Sequence, residues 1–412
     1  MFTFFPTGFH ADVFVRRISK LTLGPGAGFA LAVAAAILAL PVAAELPPLS
    51  GLCASHICVV ADTGLTIDAN KADDSRAPAS MVKMMLMVLV SEGIDKGSWT
   101  LETKITATAH AQSIGGAQVY LKAGEVRTLE ELLKAVAVGS ANDAAMAAAE
   151  GLWKSESAYL RRANERAKEL GMVDTEFFSV HGLPPGPGEK IDRTTARDMA
   201  ILAAECIKHD RILKLVGQKE LVFRPGESTR YNTNKLLWRM KGCDGLKTGF
   251  TNAAGYCLTA TAVRGGIRLI AVVMGCDSLQ GRFDVTERVL EEGFAAVDRV
   301  RILAREQFVD PPVAVRNCTV EEVYLAPVEE HVVVMKPADT GRLSYVVDQP
   351  KHIRAPQAAE TVLGEVRVEL DGVVLATSPL ALTQSLEAAG WRWKITRTVL
   401  GRLNPGPESG GP

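Results

Sequence analysis

The sequence predicts an α/β domain followed by a smaller all-β domain, and three patterns carry that prediction. An apolar strand pair near His56 is separated from a second block of strands, residues 245–275, by a long helix-rich segment. One sheet must then be completed by distant parts of the chain, as in mixed α/β layers. Beyond about residue 300 the texture changes to short alternating strands broken by Pro, Gly and Asp, the pattern of a small β-sandwich. At 412 residues the chain is also longer than one hydrophobic core usually serves.

Taken in order, Arg16, Arg17 and Lys20 precede an apolar run, Gly28–Leu40, and then Pro41, Val42, Ala43, Ala44 and Glu45. A basic stretch, a short apolar core and small residues predict a secretory signal peptide over residues 1–44, cleaved after Ala44. The 13-residue run is short for a membrane span. The paired arginines fit twin-arginine export, but an ordinary basic leader accounts for them equally. A strand from His56 turns at Asp62-Thr63-Gly64 into a return strand, Leu65–Ala69, giving a hairpin. Ser80–Glu92 is apolar on every side, which predicts a buried helix. The Ala-rich stretch Leu129–Leu152 reads as two helices meeting at Gly139-Ser140-Ala141-Asn142. Further helices are expected at Glu156–Leu170 and Thr195–Lys208, the second capped by Thr194. Strands follow at Gly245–Thr251, Gly255–Arg264 and Arg268–Gly275, then a helix at Arg282–Val297.

The β-domain is expected over residues 300–383, with strands at Thr319–Leu325, His331–Met335, Leu343–Val347 and Thr361–Leu370. From Ser385 to Leu403 the pattern predicts a terminal helix with Trp391, Ile395, Val399 and Leu403 at intervals of four. Its charges at Arg392, Lys394, Arg397 and Arg402 are all positive, so residues 384–412 suit the plane of an anionic membrane surface, with docking on the sandwich as the alternative. The last residues, from Asn404, are Gly- and Pro-rich and predicted to be disordered.

A net charge of −1 gives no field for nucleic acid, which excludes that partner class as a general expectation. Seven cysteines leave at least one unpaired, and their spacings match no zinc pattern, so most read as small buried hydrophobes. Cys53 and Cys58 would point to opposite faces of one strand and cannot bridge each other.

The chemistry rests on three short groups. Ser80 and Lys83, three apart at a buried helix start, share one face. There desolvation disfavours the ammonium, so a neutral amine can take the serine proton. Ser140 and Asn142 sit in the helix interruption, where a hydroxyl and an amide can project into a cleft. Lys247-Thr248-Gly249, followed by Phe250-Thr251, lies on a strand where Gly249 lets a peptide approach and Lys247 offers charge to a carboxylate. Each group alone is more often a cap, a turn or an exposed strand.

In this order, Ser-x-x-Lys, Ser-x-Asn and Lys-Thr-Gly resemble the motif set of the penicillin-recognising serine enzymes. Ala77–Lys83, His181-Gly182-Leu183, Thr195–Ala200, Leu236-Leu237-Trp238 and Asp244–Thr251 narrow the resemblance to the low-molecular-weight D-alanyl-D-alanine carboxypeptidases, over about residues 48–300. The chain departs from that family's usual pattern with Met81-Val82 between serine and lysine and with Phe250 where histidine is common.

The resemblance implies a β-lactamase/D,D-peptidase-like α/β catalytic domain over residues 45–299 and the β-sandwich behind it. It implies Ser80 as nucleophile, Lys83 as base, Ser140 as proton shuttle and Asn142 as a positioner of substrate and lysine. Lys247 and Thr248 would face the substrate carboxylate, with Arg282 a further candidate, and the N–H groups of Ser80 and Phe250 would form the oxyanion hole. His181 is expected to be structural, and Asp198 either orients Lys247 or sits in a first helical turn. The implied reaction removes terminal D-alanine from peptidoglycan stem peptides with no cofactor, on the outer face of the inner membrane, and β-lactams should acylate the same serine. A D,D-endopeptidase remains an alternative; a class A β-lactamase would need a Glu-x-x-Leu-Asn segment, which does not occur. A non-catalytic wall-binding protein is the alternative of another class.

Overall fold

The computed structural model describes residues 49, 51–305 and 307–390. The predicted leader and the part of the predicted terminal helix from Trp391 onward lie outside the described residues.

The central sheet is antiparallel and five-stranded. Strands β1 (Ser55–Val60) and β2 (Thr66–Asn70) form the predicted hairpin, and β3 (Cys243–Thr251), β4 (Gly255–Arg264) and β5 (Ile267–Cys276) follow about 170 residues later, in the order β2-β1-β5-β4-β3. Alternation explains why these strands read as almost uniformly apolar. Ile57, Val59, Ile270, Val272 and Met274 enter the core under the helical layer, while Cys58, Val60, Leu269, Ala271 and Val273 enter the core on the other face. Both faces are covered, so neither needs polar residues.

The helical layer contains α1 (Lys83–Asp95), α2 (Leu129–Gly139), α3 (Asn142–Trp153), α4 (Glu156–Glu169), α5 (Ala196–Ile207) and α6 (Asp210–Val216). Every residue of α1 from Lys83 to Ser91 is buried, as its lack of a polar face predicts. Each such Met, Leu or Val contributes about 1.5–3 kcal/mol of hydrophobic stabilisation. Helix α2 starts at a capping box in which Thr128 and Glu131 satisfy each other's backbone N–H groups. The cap of α5 corrects the sequence reading: Thr195 accepts from Asp198 N–H, while the Thr194 hydroxyl pairs with that of Thr175 at 2.7 Å. The other face of the sheet is covered by α7 (Leu279–Ala296), whose N-cap Ser278 accepts from Gly281 N–H.

The C-terminal region is all-β. Its larger sheet has the order β10-β12-β13-β8-β7-β11, built from β7 (Val309–Arg316), β8 (Glu322–Pro327), β10 (Leu343–Asp348), β11 (His352–Arg354), β12 (Val362–Leu370) and β13 (Val373–Leu382). A separate pair, β6 (Asp298–Leu303) with β9 (His331–Met335), shares a core with it through Ile302, Leu303, Val333 and Met335. Leu65, in the turn between β1 and β2, packs against this core and against the one under α7. The predicted helix from Ser385 is corrected over its first six residues. Leu386 forms a bridge with Gln357, and Ala389 N–H donates to Asn317 O at 2.8 Å, so this segment is tied to the β-domain as extended chain.

Candidate active site

Ser80 sits in a 3₁₀ turn, Ala79–Val82, that leads directly into α1. Ala79 just before it has φ +49°, a left-handed conformation that costs a residue with a Cβ about 1–2 kcal/mol. Backbone held there against its preference fixes the aim of the neighbouring hydroxyl. Lys83, the first residue of α1, is fully buried, with Nζ 2.8 Å from Ser80 Oγ and 2.7 Å from the carbonyl oxygen of His181. Both neighbours are uncharged. Burial, reinforced by the charge of Lys247, holds the Lys83 amine well below the ordinary lysine range, against a weaker pull from Asp192.

The His181 carbonyl is placed by its own loop. Asp192 accepts from Phe178 N–H at 2.6 Å, Ser179 N–H at 2.9 Å and the Ser179 hydroxyl at 2.6 Å, and Ser179 Oγ in turn accepts from Gly182 N–H at 2.8 Å. Gly182 has φ +77° and lies so close to the serine turn that a Cβ there would sit 2.1 Å from Ala79 O. Only glycine fits both conditions. The His181 ring accepts from Leu183 N–H at 3.1 Å and is held neutral, its pKa brought down to about 4 by burial and by Lys83.

Ser140 ends α2 with φ +58°, which turns its hydroxyl out of the helix to lie 2.8 Å from Lys247 Nζ. Asn142 opens α3; its Nδ2 donates to Gly115 O at 2.8 Å, and its Oδ1 is buried with no hydrogen-bond partner. Beside it the buried Asp143 carboxylate accepts from Val119 N–H at 3.1 Å, Leu121 N–H at 2.9 Å and Ala144 N–H at 2.9 Å, tying the loop over this helix start.

Strand β3 is the edge of the sheet, so its outer side is open to another extended chain. Gly249 makes the approach of β3 to the serine turn possible, since a Cβ there would lie 2.7 Å from Pro78 O. Lys247 is fully buried and brought down to about 7 by burial and by the neighbouring Arg282 charge. Thr248 Oγ1 is 2.8 Å from Thr233 Oγ1, and Thr251 Oγ1 accepts from Ala254 N–H at 3.0 Å. Arg282, on α7, donates to Gly249 O at 3.2 Å and leaves its buried Nε without a partner. The half-exposed Phe250 ring stacks on Tyr256 at 4.1 Å, and Tyr256 lies under the Arg282 guanidinium. Arg282, with Lys247 beside it, thus brings positive charge to a desolvated place, an arrangement suited to an anionic group.

The three sequence motifs are therefore brought to one place. Asp198 is not part of it: its carboxylate accepts from Asp174 N–H at 2.9 Å and from Thr175 Oγ1 at 2.7 Å. The roles of Asp143, Asp192, Thr233 and the His181 carbonyl escaped the sequence reading. An aspartate in the first turn of an otherwise Ala-rich buried helix was a usable signal for Asp143; a backbone carbonyl leaves none. Among the described residues no group of three or more His, Cys, Asp or Glu side chains is placed to hold a metal ion.

A family model described as D-alanyl-D-alanine carboxypeptidase matches residues 44–278. The chain belongs to the D-alanyl-D-alanine carboxypeptidase family. It is 34% identical over 349 residues to D-alanyl-D-alanine carboxypeptidase DacF of Bacillus subtilis, a match covering 84% of this chain and 88% of the relative. It is 31% identical over 348 residues to DacC of Escherichia coli, covering 82% and 85%. Among solved structures, penicillin binding protein 5 from Haemophilus influenzae superposes with TM-score 0.66 at 26% identity, over 83% of this chain and 99% of that one. Penicillin-binding protein D2 from Listeria monocytogenes, in its ampicillin-bound form, superposes with TM-score 0.55 at 29% identity over 60% and 100%. A D-alanyl-D-alanine carboxypeptidase family member with all three motifs in contact range of one another carries the family's fold and serine-hydrolase character.

Proposed function

We propose that this chain is a serine-type D-alanyl-D-alanine carboxypeptidase that releases the terminal D-alanine of peptidoglycan pentapeptides through an acyl-enzyme on Ser80. The observation that carries the proposal is the buried Lys83 amine 2.8 Å from the Ser80 hydroxyl, with an uncharged hydroxyl and carbonyl, not a carboxylate, as its hydrogen-bond partners. A neutral amine there accepts the serine proton as Oγ attacks the penultimate D-alanine carbonyl. The N–H groups of Ser80 and Phe250 stabilise the oxyanion. Ser140 passes a proton to the leaving amine, and Asn142 offers its unpaired Oδ1 to the substrate backbone. Lys247 and Thr248 hold the terminal carboxylate, with Arg282 adding charge behind Gly249. The substrate lies along the open edge of β3 as an added strand. Water then frees the acyl-enzyme, and no cofactor takes part. Penicillins acylate the same serine.

The peptidase unit spans residues 45–299 and the β-sandwich 300–383, preceded by an export leader cleaved after Ala44. The basic segment that follows Gly390 docks the enzyme on the outer face of the inner membrane. Product analysis tests the activity. The purified protein should release D-alanine from a pentapeptide ending in D-Ala-D-Ala and leave a D-Ala-L-Ala ending intact. Cleavage of cross-linked muropeptides with no D-alanine release from the pentapeptide would favour an endopeptidase, and binding without any release would favour a wall-binding protein.

A further inference from the structure

A second reactive arrangement lies at the end of the β1–β5 ladder. Ser55 faces Met274 across that antiparallel pair, and Ala54 N–H donates to Met274 O at 3.0 Å. Continuing that register by two residues sets Cys53 opposite Cys276, so the two thiols are neighbours. Cys53 Sγ also lies 3.7 Å from His56 Nδ1, and His56 Nε2 lies 2.8 Å from Asp68 Oδ2 on β2. Thiol, imidazole and carboxylate thus stand in the order of a nucleophile, its base and the group that orients the base. Cys53 is half-buried behind the exposed Gly51 and Leu52, so it can be reached from solvent, whereas Cys276 is buried. What faces the activated thiol is a second thiol, so the chemistry it suits is thiol–disulfide exchange.

We propose that Cys53 and Cys276 form a redox-active dithiol that closes to an intramolecular disulfide by exchange with a disulfide-bearing oxidant, Cys53 being the attacking thiol. The Cys53 thiolate attacks one sulfur of R–S–S–R, forming Cys53–S–S–R and expelling one thiolate, which takes up the proton that Cys53 gave away. The Cys276 sulfur, losing its own proton, then attacks Cys53 Sγ and expels the second thiolate, which takes that proton. The protein loses two hydrogens and the oxidant becomes two thiols.

The surrounding charges favour this order of events. The Cys53 thiol is brought down to about 6, first by the hydrogen bond from Cys276 and then, against burial, by His56 and by the Arg76 charge. His56 is raised to about 9, burial being outweighed by its bonds to Asp68 and Cys53. Asp68, which also feels Lys336, is lowered by His56. Cys276 is raised by its bond to Cys53, by burial, and by the neighbouring Cys257 and Asp277, so it responds second.

The test uses the full purified chain incubated with oxidised glutathione, quenched by alkylation and mapped by mass spectrometry without reduction. A Cys53–Cys276 linked peptide is expected, with Cys58, Cys206, Cys257 and Cys318 recovered as free thiols after denaturation. Cys276→Ser should stop at a glutathione mixed disulfide on Cys53, and Cys53→Ser should leave Cys276 unmodified. His56→Asn, shown to be folded by a cooperative thermal transition, should alkylate at Cys53 roughly tenfold more slowly at neutral pH. A link from Cys53 to Cys257, an intermolecular disulfide, first attack through Cys276, or no reaction at either cysteine would each overturn the proposal.

Discussion

Replacing Gly182 by alanine isolates the contact that positions the serine turn. The new Cβ would lie 2.1 Å from Ala79 O, 2.3 Å from Ala79 C and 2.9 Å from Ser80 N, all backbone atoms that cannot swing away. Ordinary carbon–oxygen contacts begin near ~3.3 Å, so one loop must retreat by about 1 Å. A displacement of that size at a reacting group costs on the order of 10²-fold in rate. The left-handed backbone adds about 1–2 kcal/mol of strain, enough to lower the melting temperature by roughly 2–8 °C. Gly188→Ala supplies the control: its φ is +83° with nothing within 4 Å, so it bears a similar dihedral strain without a collision. The second-order rate of acylation by a fluorescent penicillin should fall about 10²-fold in Gly182→Ala and stay within about twofold of wild type in Gly188→Ala. Equal acylation by both variants would refute the view that this contact aims Ser80.

Lys83→Met should retain the fold, because the lysine stem is buried among apolar neighbours, and should lose about 10²–10⁴-fold in acylation rate, read by stopped-flow fluorescence. Asp143→Ala should leave the N–H groups of Val119, Leu121 and Ala144 without their acceptor and cost about 3–5 kcal/mol, read as the loss of unfolding free energy in urea. The Lys247 amine sits at about 7 in the folded protein against an ordinary 10.5, so between these values the unfolded chain binds a proton that the native one does not. Native stability must then rise with pH across that window. Wild type should gain stability relative to Lys247→Met from about pH 7 to pH 10, measured by urea titration at each pH; a constant difference would contradict the burial argument.

Much of the fold was legible because both faces of the central sheet are covered, and an unbroken apolar run such as Leu269–Met274 can hardly sit elsewhere. Strand β7 was missed because Pro311 and Pro312 read as breakers. They fall where its pairing with β8 shifts between Val309 and Val313, so little of the ladder is lost. The helix predicted from Ser385 failed at its start because the intervals of four begin only at Trp391, while the Ser385 hydroxyl accepts from Ala359 N–H at 3.0 Å and keeps the chain on the sheet. In the site, Ser80, Lys83, Ser140, Asn142 and Lys247 were readable because the proposed chemistry uses their side chains. The carbonyl of His181 and the Asp192 that holds its loop were not, since they act through backbone groups that any sequence supplies, and Asp143 was signalled only by its place in an Ala-rich buried helix.

The most direct measurement is the site of covalent labelling by a penicillin, read by mass spectrometry of the digested protein. The label should fall on the peptide carrying Ser80 and vanish in Ser80→Ala, with D-alanine release lost alongside it. A label that persists in that variant, or that maps to Ser140, would mean that the Ser80–Lys83 pair is not the acylating centre.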